Sequence, residues 1–337
     1  MDQDIYKTAG VNLSAAQSLK KRIGFLTNST LSPSVLKGAG AFSGLYELSG
    51  FREPVIVSST DGVGTKLKIA AMMNKYDTIG EDLVNACVND VIVCGAKPLF
   101  FLDYIALGEL NSCLIENLLT GMVRACQESE CALIGGETAQ MPGLYGNNEF
   151  DMAGFVVGVV EKSNLIDTNL ISRGDILLGL RSNGLHTNGY SLVRHILDLD
   201  KDPTPLKKFH SELGKTLGES LLTPHRSYYK LIRGSMPLIK GISHITGGGL
   251  TENVPRILPK TLAAQFDISS WQPPDIFKTL QSHGNITSQE MYRVFNMGLG
   301  MVLVCDPSNV EAIKALIPEV SIVGEVIPSS TGDRINL

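Results

Sequence analysis

Residues Ser59-Thr60-Asp61-Gly62-Val63-Gly64-Thr65-Lys66 follow the apolar run Val55-Ile56-Val57 and precede the alternating Leu67-Lys68-Ile69-Ala70. The order predicts a strand running into a tight glycine turn, with an acid, a hydroxyl and a lysine packed around it. Glycines let backbone N–H groups approach an anion closely. Lys66 brings positive charge for phosphate oxygens, and Asp61 is suited to hold a divalent cation between them. Neither Gly-x-x-x-x-Gly-Lys-Ser/Thr nor Gly-x-Gly-x-x-Gly is present. A plain β-turn explains the same residues unless other acids join it.

Downstream, Ile79, Leu83, Ala86, Cys87, Val91 and Cys94 recur at three- and four-residue spacing, which predicts a helix closed by Gly95. Asp90 falls on that stripe, and a carboxylate on a buried face needs a hydrogen bond, a counter-charge or a cation. Asn85 and Asn89 form a polar ridge beside it. A strand from Leu99 to Ala106 carries Asp103. A helix from about Asn111 to Glu130 leads to a strand, Cys131-Ala132-Leu133-Ile134, that stops at Gly135-Gly136-Glu137-Thr138. Ligands in α/β sheets gather beyond the carboxyl ends of strands. Asp61 and Glu137 both fit that place, and Asp103, inside its strand, is the weaker candidate.

Composition narrows the function. The chain has 337 residues, 43% of them hydrophobic, with 34 glycines and a net charge of −5. This describes a globular α/β protein, and without a basic run nucleic acid is not an expected partner. An acidic protein that handles phosphates needs a metal and a few placed cations. No leader and no membrane-length apolar run is visible, and the six cysteines read as reduced core thiols, so a cytoplasmic protein is expected. Residues 1–53 read as a mobile arm, a short helix from about Ser14 to Ile23, and a flexible glycine loop, Gly38 to Gly44, that acts as a linker or as a flap over nucleotide.

A polar segment from Glu161 to Asp175 marks a boundary, giving a 54–165 domain and a 166–337 domain. In the second, Ile176 to Leu180 is a buried strand followed by Ser182 to Gly189. Ile242-Ser243-His244-Ile245-Thr246-Gly247-Gly248-Gly249 leads into a helix. Three glycines between strand and helix make a nest of N–H groups for phosphate, or a flexible turn; their entropic cost favours the phosphate. His186 and His244 border these loops, whereas His195, His210, His225 and His283 are assigned to structure. Each half carries a glycine-rich polar loop after its first strand, which suggests a duplicated architecture without a residue-level repeat.

The stretches Asp61-Gly62-Val63-Gly64-Thr65-Lys66, Cys87-Val88-Asn89-Asp90, Phe100-Phe101-Leu102-Asp103-Tyr104, Gly135-Gly136-Glu137-Thr138-Ala139, His186-Thr187-Asn188-Gly189-Tyr190-Ser191-Leu192 and Thr246-Gly247-Gly248-Gly249, taken in order, resemble the phosphoribosylformylglycinamidine cyclo-ligase (aminoimidazole ribonucleotide synthetase) family. The resemblance extends from Tyr6-Lys7-Thr8-Ala9-Gly10-Val11 to Phe295-Asn296-Met297-Gly298-Leu299-Gly300-Met301. It implies two α/β (α+β) domains, each a mixed sheet with helices, and an ATP- and magnesium-dependent ring closure in purine biosynthesis. It implies Asp61, Asp90 and Glu137 as metal ligands; Asp61, Gly62, Gly64, Thr65, Lys66, Asn89, Asp103 and Thr138 around ATP; and Thr246 to Gly249 with Asn188 at the substrate phosphate. Lys66, His186 and His244 become the catalytic candidates. A homodimer through the N-terminal strands is implied as well. The rival readings are a small-molecule kinase of the same superfamily and a non-catalytic nucleotide-binding protein, which would be expected to have lost one or more of the acids.

Overall fold

The computed structural model describes residues 13–146, 149–329 and 332–337. The start of the chain, including Tyr6 to Val11, and Asn147-Asn148 of the turn after Gly143 lie outside the described residues. The chain divides into two compact units, one comprising residues up to Val91 with Lys97–Glu161, the other Ile92–Ala96 with Lys162–Leu337.

The first unit is a four-stranded sheet with helices on one face. Its strands are β1 (Pro54–Gly62), β2 (Lys97–Leu107), β3 (Ala132–Gln140) and β4 (Phe150–Glu161), in the order β1-β4-β2-β3. Only β2 and β3 run parallel, joined through the helix Ser112–Glu128, as a parallel pair requires a crossover. That helix starts where Asn111 accepts the Leu114 N–H at 3.0 Å. We call Leu13–Thr27 helix α1, Lys66–Met73 α2, Ile79–Ile92 α3 and Ser112–Glu128 α4.

Alternation along β2 puts Phe101, Asp103, Ile105 and Leu107 on the buried face. Phe100, Leu102 and Tyr104 face the other way and are half-buried. That second face also carries Ile56, 56% exposed, and Phe155, 44% exposed. Helices α3 and α4 meet where each has a glycine. A Cβ on Gly80 would lie 2.0 Å from the Leu118 carbonyl oxygen, and one on Gly121 would lie 2.6 Å from that of Asp77.

The glycine stretch Gly38 to Gly44 joins two short paired strands, Val35–Lys37 and Leu45–Tyr46, rather than forming a bare linker. Tyr46 rests against Phe100 with ring centroids 5.5 Å apart. Helix α1 runs longer than the sequence indicates, to Thr27.

The second unit is a six-stranded sheet of β5 (Ile176–Arg181), β6 (Ile239–His244), β7 (Leu262–Phe266), β8 (Leu299–Cys305), β9 (Ser321–Pro328) and β10 (Ile335–Asn336). The order is β6-β8-β5-β9-β7-β10, antiparallel except for the last pair. Leu177, Val302, Val304, Val323 and Val326 fill the core under Trp271, whose indole N–H reaches the Met297 carbonyl at 2.9 Å. The two sheets differ in strand number and order, so the duplication suggested by the paired glycine loops does not extend to topology. Among the described residues no disulfide forms; Cys87, Cys126, Cys131 and Cys305 are buried, as core thiols should be.

Gly121→Ala forces its methyl into backbone that cannot swing aside, so a loss of about 1–3 kcal/mol is expected by urea unfolding. A change of a few tenths would refute the close helix crossing.

Candidate active site

In the first unit the strand β1 does not stop before the glycine turn. It continues through Asp61 and Gly62, paired with β4 to the end. The turn is Val63 to Thr65, with Gly64 at φ +64°, and helix α2 begins at Lys66. The alternating Leu67 to Ala70 therefore lies on a helix. Likewise β3 runs on from Ile134 through Gly135 and Gly136 to Gln140, so Glu137 sits within a strand and not beyond its end. Pairing with β2 overrides two consecutive glycines, whose backbones hydrogen-bond like any other.

Strand register explains those glycines. Asp61 pairs with Gly154, Gly154 with Asp103, and Asp103 with Gly136, forming one row across all four strands. A Cβ on Gly136 would stand 2.2 Å from Asp103 Oδ1, and one on Gly154 would stand 2.3 Å from the Phe101 ring. The glycines clear space for acids on the helix-covered face. Glu137 pairs with Tyr104, one step on, and so alternates to the opposite face.

Helix α3 brings Asp90 to that covered face, where Ser59 Oγ donates to Asp90 Oδ2 at 3.3 Å. Cys87 lies between Asp61 and Asp90. Burial and then the charge of Asp61 push its thiol well above the usual range, so it is no nucleophile. Asp61 is exposed, and its own Oδ1 accepts the Gly62 N–H at 2.8 Å.

The three acids do not close into a ready-made cage. Among the described residues, the only group of three His, Cys, Asp or Glu with ligand atoms within 4.8 Å of one another is His186, His225 and His244.

Lys66 corrects the sequence reading most sharply. Its side chain is fully buried and its Nζ lies 2.8 Å from Asp82 Oδ1, itself fully buried on α3. Burial lowers the ammonium's pKa, and Asp82 pulls it back up. An ammonium held inside the unit is not presented to phosphate oxygens, so Lys66 is an anchor and not a clamp. Asn89, also expected at the nucleotide, is fully buried, whereas Thr138 is half-buried beside Glu137. Asp82 was missed because an acid in the first turn of a helix reads as a favourable dipole partner and needs no other explanation.

In the second unit the loop after β5 and the end of β6 meet. His186, with φ +61°, stacks on His225 with ring centroids 4.0 Å apart and planes at 17°. His225 Nε2 lies 3.0 Å from His244 Nε2. Gly300 makes this possible, since a Cβ there would lie 1.9 Å from the Tyr228 hydroxyl and 2.6 Å from His186 Cε1. His225, which the sequence assigned to structure, is thus the middle of the cluster. No motif surrounds it in sequence, so only the fold reveals it.

Thr246 to Gly249 forms a turn in which the Gly249 N–H donates to the Thr246 carbonyl at 3.1 Å, with Gly248 at φ +90°. Each glycine here has a steric reason. Gly247 lies against Asn188 Oδ1, Gly248 has positive φ, and a Cβ on Gly249 would lie 2.1 Å from the Tyr292 carbonyl oxygen. Their entropic cost is therefore not by itself a sign of phosphate, and one of the nest's N–H groups is already engaged. Asn253, missed in the sequence, donates from Nδ2 to the carbonyls of Thr246, Gly247 and Gly249 and holds the turn.

A two-unit α/β protein with an acid row in one unit and a histidine–glycine site in the other defines a class. Its N-terminal domain family, described as AIR synthase related protein, matches residues 48–160, and the corresponding C-terminal domain family matches residues 172–335. The phosphoribosylformylglycinamidine cyclo-ligase of Thermoanaerobacter sp. (strain X514) is 51% identical over 97% of this chain and 98% of its own length. That of Aromatoleum aromaticum is 50% identical over 96% and 92%. The chain belongs to the phosphoribosylformylglycinamidine cyclo-ligase family. The fold is shared more widely. A thiamine-monophosphate kinase from Stenotrophomonas maltophilia superposes with a TM-score of 0.66 at 16% identity, covering 95% of each chain. The hydrogenase maturation protein HypE in complex with ATP gives 0.64 at 17%, covering 89% of this chain and 83% of that one.

Two measurements test the first unit. Asp82→Ala leaves the Lys66 ammonium buried without its carboxylate and is expected to cost about 3–5 kcal/mol; a loss under 1 kcal/mol in denaturant titration would remove the anchor. Burial, and secondarily Glu137, push the Asp103 carboxyl from 3.8 up to about 7. The folded state then holds a proton that the unfolded chain has released, so stability falls as pH rises between those values and levels above them. Asp103→Asn removes that slope. Unfolding at pH 4 and pH 8 should show the variant gaining about 1–4 kcal/mol on the parent, and parallel curves would contradict it.

Proposed function

We propose that this chain closes the imidazole ring of 5-aminoimidazole ribonucleotide from formylglycinamidine ribonucleotide, consuming ATP and releasing ADP and phosphate in de novo purine biosynthesis. The observation that carries this reading is 51% identity over 332 residues with a cyclo-ligase spanning almost the same length. An amide oxygen is a poor leaving group. Phosphoryl transfer from ATP to the formyl oxygen makes an imidate phosphate, a ring nitrogen attacks its carbon, and phosphate departs with the C–O electron pair.

Residues 54–165 take ATP. The exposed carboxylate of Asp61, with Asp90 beside it on the covered face, would hold magnesium, whereas Glu137 alternates to the opposite face of the sheet and does not join them within this unit. This ion takes only one or two carboxylates directly and keeps water and phosphate oxygens for the rest, which suits acids spread along a sheet better than a closed cage would. Magnesium supplies charge neutralisation on the triphosphate when bound. The backbone of Gly62, Gly64 and Thr65 borders the phosphates, with Thr138 close to Glu137. Lys66 acts at one remove, by fixing α2 to α3.

In residues 166–337, Thr246 to Gly249 and Asn188 receive the ribose phosphate, and His186 and His244 lie at the reacting end. The face that carries the exposed Ile56 and Phe155 is an apolar surface that a second copy of the chain covers, giving a homodimer. No described helix is long and apolar enough to cross a membrane, in keeping with a cytoplasmic enzyme.

The decisive assay follows ADP and aminoimidazole ribonucleotide together with formylglycinamidine ribonucleotide, ATP and magnesium. Equal formation supports the reading; ADP without imidazole points to a kinase, and neither product points to a binding protein. Asp90→Ala is expected to lower kcat at least about a hundredfold while the far-ultraviolet spectrum stays native. Near-normal turnover would remove Asp90 from the metal site.

A further inference from the structure

The histidine cluster contains an imidazole that the proposed reaction does not use. His186, His225 and His244 are all buried, His244 the least so at 7% exposed. Burying an imidazole is costly unless its nitrogens are engaged, so three together call for a specific arrangement. The loop holding His225 is fixed from both sides. Asn183 Nδ2 donates to the Pro224 carbonyl at 2.9 Å, and the Arg226 guanidinium donates to the Arg181 carbonyl at 3.0 Å. The His225 ring is thereby set between Thr187 and His244. Thr187 Oγ1 lies 3.4 Å from His225 Nδ1, and Asn188 Nδ2 donates to that hydroxyl at 3.5 Å.

One proton occupies the gap between His225 Nε2 and His244 Nε2, because two would clash. With the Asn188 amide donating to the Thr187 hydroxyl, the arrangement in which that hydroxyl donates in turn to His225 Nδ1 puts the His225 proton on Nε2, directed at His244 Nε2. His244 then carries its own proton on Nδ1. A ring in that state, its Nε2 lone pair engaged, is a donor and not a base.

Building on the ring-closure reading above, we propose that His225 is a positioning residue. It locks His244 in the Nδ1–H tautomer, and His244 serves the reaction as a hydrogen-bond donor to the oxygen that gains negative charge. His186, stacked on His225, is then a wall of the site. The same three rings have the spacing of a metal centre. Two rings stacked at 4.0 Å and nearly parallel, however, present their nitrogens side by side and do not converge on one ion.

The test combines nitrogen-15 imidazole spectra with kinetics on the full-length protein. The expected wild-type signal for His244 is the Nδ1–H tautomer, becoming a mixture in His225→Phe, which keeps a ring under His186 but loses both hydrogen bonds. In that variant kcat should fall about 10–100-fold with KM for both substrates little changed. His225→Gln, whose amide can accept from Thr187 and donate to His244, should recover kcat to within about threefold of wild type.

An Nε2–H His244 in the wild type overturns the proposal. So does an unimpaired His225→Phe, or a glutamine variant no better than phenylalanine when both remain folded. One equivalent of zinc in the purified protein, measured by elemental analysis, would also overturn it in favour of a metal centre. A wild type that forms no imidazole overturns the parent reading instead, and the tautomer spectrum still tells whether His225 orients His244.

Discussion

The Lys66–Asp82 ion pair is the contact on which the first unit depends. Two opposite charges with no solvent exposure are held together at 2.8 Å at the junction of the glycine turn and the helix packed beside it. Desolvating both is expensive, and removing either one leaves the other as an uncompensated buried charge. With α2 fixed to α3, the end of β1 and the last turn of α3 take up fixed places, and with them Asp61 and Asp90. The phosphate-like signature around Lys66 is thus real in its consequences although the lysine itself faces inward.

Acids on the covered side of a sheet need room, and the chain makes it by omission. Gly136 and Gly154 occupy positions where any side chain would strike Asp103 or the aromatic ring beside it. Gly300 does the same for His186 and Tyr228 in the second unit. In both cases the polar groups are conspicuous in the sequence while the spaces that accommodate them are not. Positive φ at Gly64, His186, Gly189, Gly248 and Gly249 falls within the same loops.

The order of elements was legible from periodicity, and the helices expected from Ile79 and from about Asn111 form as Ile79–Ile92 and Ser112–Glu128. Two strands were cut short because Gly62 and Gly135-Gly136 read as breaks, whereas cross-strand pairing carries β1 and β3 through them. Local composition could show that an acid or a histidine borders a loop. It could not show that Asp82 lies opposite Lys66, that Glu137 is one register step from Asp103's row, or that His225 lies between two residues singled out for other reasons. Those facts follow from contacts between residues distant in sequence, and only the fold makes them.

The strand order of the second sheet bears on how the protein is made. β5, the first of its strands in sequence, lies near the middle, with β8 on one side and β9 on the other. Its buried Leu177, Leu178 and Leu180 have no partner strand until residues 299–328 have left the ribosome. At ordinary rates of synthesis that interval lasts on the order of ten seconds. A nascent chain with an apolar strand uncovered on both edges for so long exposes the kind of surface that a holding chaperone covers.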